Sequence, residues 1–208
     1  MTDNKLISSL VSDLRPVKVK KPIRTTVLFF GISAIGTLIV FGALFSVRSD
    51  LQQVITHSTF LFSTFAALIT CLFGFFSVIF LSTPARNTKY FLGLLSAGLA
   101  TLIFSLWIWP NQERQSGMAI AQSCTIASII LGLLSLCIFM FVAKKMAPVK
   151  PGLVGGLCGV GAACVGMIAI AFHCPNENPI HLLVWHLSLP LIGFILLGSL
   201  IGRKFLRW

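Results

Sequence analysis

Long uncharged apolar stretches alternate along this chain with short polar connections that carry most of its charge. Six runs stand out: Val27 to Val47, Phe60 to Leu81, Tyr90 to Trp109, Thr125 to Ala143, Gly152 to Phe172 and Leu182 to Gly202. Each approaches the ~20 residues that a helix rising ~1.5 Å per residue needs to cross a hydrocarbon core of ~30 Å. The runs are apolar all round, whereas barrel strands alternate apolar and polar residues, so the pattern predicts helices. The connections leave no room for a second folded domain. The expected architecture is an all-α membrane protein, with an N-terminal arm over residues 1–26 and a six-transmembrane-helix bundle over residues 27–208. The first run is longer than the ~7–15 apolar residues of a signal peptide and follows a charged segment, so it reads as a retained span.

The arm has its own periodicity. Leu6, Ile7, Leu10, Val11 and Leu14 recur at intervals of three and four, one apolar face of a short amphipathic helix, with Thr2 or Asp3 available as N-cap and Pro16 as its stop. Such a helix suits either a membrane surface or a groove on a cytoplasmic partner.

Composition agrees: 56% of residues are hydrophobic, 10% are charged, and the mean hydropathy is +0.95, more apolar side chain than a soluble domain of this length buries. Charge then sets orientation, because Lys and Arg in short loops are retained on the cytoplasmic side. Lys5, Arg15, Lys18, Lys20, Lys21 and Arg24 in the arm, Arg86 and Lys89, Lys144, Lys145 and Lys150, and Arg203, Lys204 and Arg207 all fall on one face. The opposite connections hold only Arg48 and Arg114, against Asp50, Glu113 and Glu177. Both termini are therefore expected in the cytoplasm. The net charge of +11 clusters beside span ends, where topology and anionic headgroups account for it, so no direct nucleic-acid contact is expected.

The spans themselves exclude several functions. None contains Asp, Glu, Lys or Arg, the residues that transporters, pumps and channels keep in the membrane. His186 is the one titratable nitrogen within a run, and about a turn from the outer end it reads as a snorkelling interfacial histidine. Facing histidine pairs for haem, a His-Glu-x-x-His motif and a phosphate loop are missing, so no cofactor and no enzymatic activity is expected. Gly152, Gly155, Gly156, Gly159 and Gly166 crowd "GLVGGLCGVGAACVG", a face on which helix backbones can approach closely.

The six cysteines sort by depth. Cys71 and Cys164 fall mid-span and Cys137 and Cys158 in inner halves, where a small buried hydrophobe is expected. Cys124 and Cys174 lie at the outer boundary. They suit a disulfide if packing brings their Cα atoms within ~7 Å. His173 beside Cys174, with His181 downstream, also permits a transient metal site of Cys124, His173 and Cys174, although no tight zinc spacing is present. A catalytic thiol would be expected in Cys-x-x-Cys, which is absent; two structural thiols without a sensing role are the plain alternative.

Three segments, "SDLRPVKVKKP", "FHCPNENPIHLLVWH" and the closing "GRKFLRW", resemble the NrsF family of six-span bacterial inner-membrane proteins. The resemblance runs nearly end to end and implies an anti-sigma factor for an extracytoplasmic-function sigma factor. It implies that Leu6, Leu10, Leu14, Arg15, Pro16 and Val17 of the arm hold the sigma factor at the cytoplasmic face. The family's paired outer-face cysteines would be Cys124 and Cys174, with His173 and His181 beside them, releasing the sigma factor on an oxidative or metal stress signal. The competing expectations are a membrane protein passing electrons between thiols and quinone, and a small transporter.

Overall fold

The computed structural model describes residues 22–56, 58–81, 89–107, 118–146, 148–175 and 182–207. Among them there is no strand. The helices are α1 (Pro22–Leu44), the short α2 (Leu51–Val54), α3 (Ser58–Leu81), α4 (Lys89–Trp107), α5 (Met118–Lys145) and α6 (Pro151–Ala171), then a π-helical segment (Leu182–Ser188) that runs into α7 (Leu189–Phe205). Among the described residues, four segments are long and apolar enough to cross a membrane: Phe60–Leu81, Cys124–Lys145, Pro151–Ala171 and Trp185–Phe205. A shorter apolar stretch, Gly31–Leu44, lies in α1. The first described helix, α1, covers Pro22 to Leu44 and so includes residues 22–26 of the stretch assigned above to the arm.

The middle of the bundle is α6. It packs most extensively on α7, then on α5 and α3, while α1 leans on α5. Glycine makes this possible. A Cβ on Gly155 would strike the Gly198 carbonyl and stand 2.9 Å from the Gly202 Cα, and one on Gly159 would strike the Phe194 carbonyl. Further along the same face of α6, a Cβ on Gly166 would sit 2.6 Å from the Ser128 carbonyl of α5. The glycine-rich face thus becomes two close helix contacts, and Val154, Leu157, Cys158, Val160, Cys164 and Ile170 are all buried around them. Cys71, Phe75, Val78, Leu136, Phe139 and Phe194 complete the main core.

Outward-facing residues are equally apolar. Leu38, Ile39, Phe65, Phe141, Leu196 and Leu200 are exposed on the bundle surface, a band that water would not tolerate and acyl chains would cover. Several interior hydroxyls find partners within protein: Ser33 donates to Ser135 (3.3 Å), Thr37 and Ser135 are 3.2 Å apart, and Thr70 and Ser77 bond the carbonyls of Ala66 and Phe73. Cys71, Cys158 and Cys164 are buried as expected, but Cys137 is exposed. It faces outward from α5, a direction the sequence could not show because an all-round apolar helix gives no periodic signal to separate core from surface.

The two ends of the bundle differ. Lys144 and Lys145 occupy the last turn of α5, and Arg203 and Lys204 that of α7. These ends meet where the Phe141 and Phe205 rings stack edge-on at 5.8 Å and Lys144 Nζ sits 4.1 Å from the Phe205 ring centre. Far from this basic end, α1 turns over at residues 45–50, α6 winds down at Phe172, and the π-helical segment enters.

Candidate functional site

At this end three side chains converge: Cys124 from the second turn of α5, Cys174 just beyond α6, and His186 from the π-helical segment. Their ligand-capable atoms, two Sγ and one imidazole nitrogen, all lie within 4.8 Å of one another. All three residues are at most 2% exposed. Ala127, Ile170 and Phe45 surround the thiols.

Local chain geometry fixes each member. As α6 ends, the His173 and Cys174 N–H groups both donate to the Ile170 carbonyl, at 2.9 and 2.8 Å, tucking the Cys174 side chain back against α5. Cys124 needs no special device, being one turn into a continuous helix. His186 needs one. Pro190 stands four residues after it, where in a regular α-helix the proline ring would collide with the His186 carbonyl and could not donate to it. The chain relaxes into a wide π turn over Leu182–Ser188 and turns His186 inward. Such π insertions recur at functional sites. Thr125 Oγ1, 3.5 Å from the Trp185 carbonyl, ties this segment to α5 beside Cys124.

Two expectations need correction. His186 does not snorkel to an interface; it is buried at 1% exposure among the cysteines. His173, expected beside Cys174 as a third group, is turned away: its Nδ1–H donates to the Ser46 carbonyl at 2.6 Å, and its ring meets Phe45 edge-on at 5.5 Å. His173 therefore clamps Cys174's loop to the end of α1. The clamp is doubled by the Arg48 N–H, which donates to the Phe172 carbonyl at 3.0 Å. Arg48 is itself held by a two-point pair with Asp50, at 2.7 and 2.8 Å, which compensates its buried charge. His181 and the arm residues Leu6, Leu10, Leu14, Arg15, Pro16 and Val17 lie outside the described residues.

A bundle with a buried Cys-Cys-His cluster at one end and a basic opposite end invites comparison with known proteins. The chain matches the NrsF profile, "Negative regulator of sigma F", over residues 10–208. It belongs to the NrsF family. Two relatives align over the full length of both chains: the "Anti-sigma-F factor NrsF" of Caulobacter vibrioides, at 25% identity, and the "Probable anti-sigma-F factor NrsF" of Azospira oryzae, at 26%. No solved structure matches. The NrsF family is one of regulators, not of enzymes.

Proposed function

We propose that this chain is a membrane anti-sigma factor that binds an extracytoplasmic-function sigma factor at the cytoplasmic face through residues 1–26, and releases it when an oxidative or metal signal alters Cys124 and Cys174. The observation that carries this reading is the family match along almost the whole chain, including all of the helical bundle. The bundle would sit in the bacterial inner membrane as six spans with both termini inside. The basic last turns of α5 and α7, together at one end, support that orientation.

The contacts around the site suggest a route for the signal. The helix α1 follows directly on the arm and spans 23 residues, roughly 34 Å at the usual rise. Its far end is fastened to the loop holding Cys174 by the His173–Ser46 and Arg48–Phe172 hydrogen bonds. Its lateral packing is lighter than that of α6 on its neighbours. A covalent or metal bond that draws Cys124 and Cys174 together would pull that loop, and α1 with it, changing how the arm presents its apolar face. Moving a bound population from 1:99 to 99:1 requires about 5.5 kcal/mol of differential affinity between the two bundle states.

The test is to isolate the full-length chain from native membranes and identify what accompanies it. A sigma factor is expected with the wild-type chain and is expected to be lost from Leu10→Asp/Leu14→Asp, which leaves the spans intact. Isolation without any sigma factor overturns the function. Undiminished capture by the double aspartate variant overturns the arm as the contact.

A further inference from the structure

The juxtaposition of Cys124, Cys174 and His186 carries more than a cysteine pair. We propose that these three side chains supply three protein ligands to a site for a divalent, thiophilic cation of the zinc class, with His186 as the third ligand. The proposal deepens the reading of Cys124 and Cys174 as the signal site and rests on it for physiological meaning, but its chemistry is independent of any sigma factor.

Three observations support it. The first is distance: mutual separations within 4.8 Å compare with the ~3.8 Å between sulfurs in a tetrahedral site with Zn–S bonds of ~2.3 Å, so closure draws the ligand atoms together by about 1 Å or less. The second is charge. Binding a divalent cation to two thiols and a neutral imidazole releases two protons and leaves two thiolates balancing the metal, a neutral unit overall. At 1–2% exposure, only such a unit avoids the cost of a buried unpaired charge; a monovalent ion would leave one negative charge and a trivalent ion one positive charge. Two sulfurs and an imidazole also select zinc-like ions over magnesium or calcium, which take oxygen ligands. The third is the chain itself: the π turn ahead of Pro190 is what turns His186 onto the cysteines, and a regular helix would rotate it away. A disulfide between Cys124 and Cys174 would have no use for the imidazole.

With two sulfurs and one nitrogen from protein, a fourth position is left for water or an exogenous donor, whereas structural zinc sites are closed by four protein ligands.

The experiment uses the full-length chain in lipid nanodiscs without a sigma factor. Zinc is titrated against a chromophoric chelator, and cobalt is used as a spectroscopic probe of thiolate coordination. The expected result is one zinc per chain, two protons released per zinc at neutral pH, and a thiolate-to-cobalt charge-transfer band. His186→Gln is expected to weaken zinc binding by more than about 100-fold, since even outer-shell partners of a ligand are worth ~10–100-fold. His186→Cys should restore binding through a third sulfur, and His173→Gln should leave it unchanged. Wild-type affinity in His186→Gln, or failure of His186→Cys to bind, overturns the site. A chain that binds zinc in this way yet captures no sigma factor would refute the anti-sigma reading while leaving the metal site standing.

Discussion

Replacing Gly159 with alanine adds one methyl group at a point where α6 and α7 backbones are in direct contact. Its Cβ would strike the Phe194 carbonyl and stand 2.9 Å from the Ile195 nitrogen. At Gly155 the corresponding atom would meet the Gly202 Cα at 2.9 Å; carbon pairs settle at ~3.5–4.0 Å, so α7 would have to retreat by about 0.6–1.1 Å. Backbone atoms cannot swing aside as a side-chain tip would. Overpacking of this kind costs about 1–3 kcal/mol per site. The control lies in α7: a Cβ on Gly193 meets nothing within 4 Å, so Gly193→Ala keeps any gain in helix propensity without the clash. Equilibrium unfolding in mixed micelles should place Gly155→Ala and Gly159→Ala about 1–3 kcal/mol below Gly193→Ala. Because α6 leads to Cys174 and the π segment before α7 carries His186, the same variants should slow oxidative cross-linking of Cys124 to Cys174. Equal stability of Gly159→Ala and Gly193→Ala would refute backbone contact as the force that sets the α6–α7 spacing.

Other consequences can be checked alongside. Ser135→Ala removes the shared partner of Ser33 and Thr37 and should cost about 1 kcal/mol in the same unfolding assay, given ~0.6 kcal/mol per intramembrane hydrogen bond; no change would show that these hydroxyls do not hold α1 to α5. Cys137 should react readily with a lipid-soluble maleimide while Cys71 and Cys164 resist until the bundle is unfolded; the opposite order would contradict the packing. Cys124→Ser and Cys174→Ser should give matching defects in signal response, with the double variant no worse than either, because coupled groups are non-additive; additive defects in a reporter assay would separate the two thiols. His173→Ala should leave sigma capture intact while blunting release, since the clamp to α1 is lost; normal induction would remove α1 from the route.

Much of this protein could be read from its pattern, for physical reasons. Runs of apolar residues report helices in a membrane because lipid leaves the backbone no other way to satisfy itself, and the run ending at Leu81 coincides with the end of α3. The glycine face on residues 152–166 was legible because small residues have few other uses at that density. Depth likewise separated Cys124 and Cys174 from the other cysteines. Rotation about a helix axis was not legible: α5 is apolar on every side, so Cys137 could not be told from a core residue. The misreading of His186 has a definite origin. Hydrophobic runs show where a span lies but not where it widens by a residue, and Pro190, four residues after His186, was the available signal. His173 was credited with the neighbour's role because adjacency in sequence stood in for adjacency in space, whereas the wind-down of α6 sends Cys174 inward and His173 toward Ser46.

The central claim, negative control of a sigma factor by a membrane-held chain, is tested most directly by transcription in the native cell. A reporter driven by the cognate sigma-dependent promoter should be silent with the wild-type chain and active when the chain is deleted. It should be equally active with Leu10→Asp/Leu14→Asp, provided that variant is present in membranes at wild-type abundance. A reporter that stays silent on deletion would contradict the account.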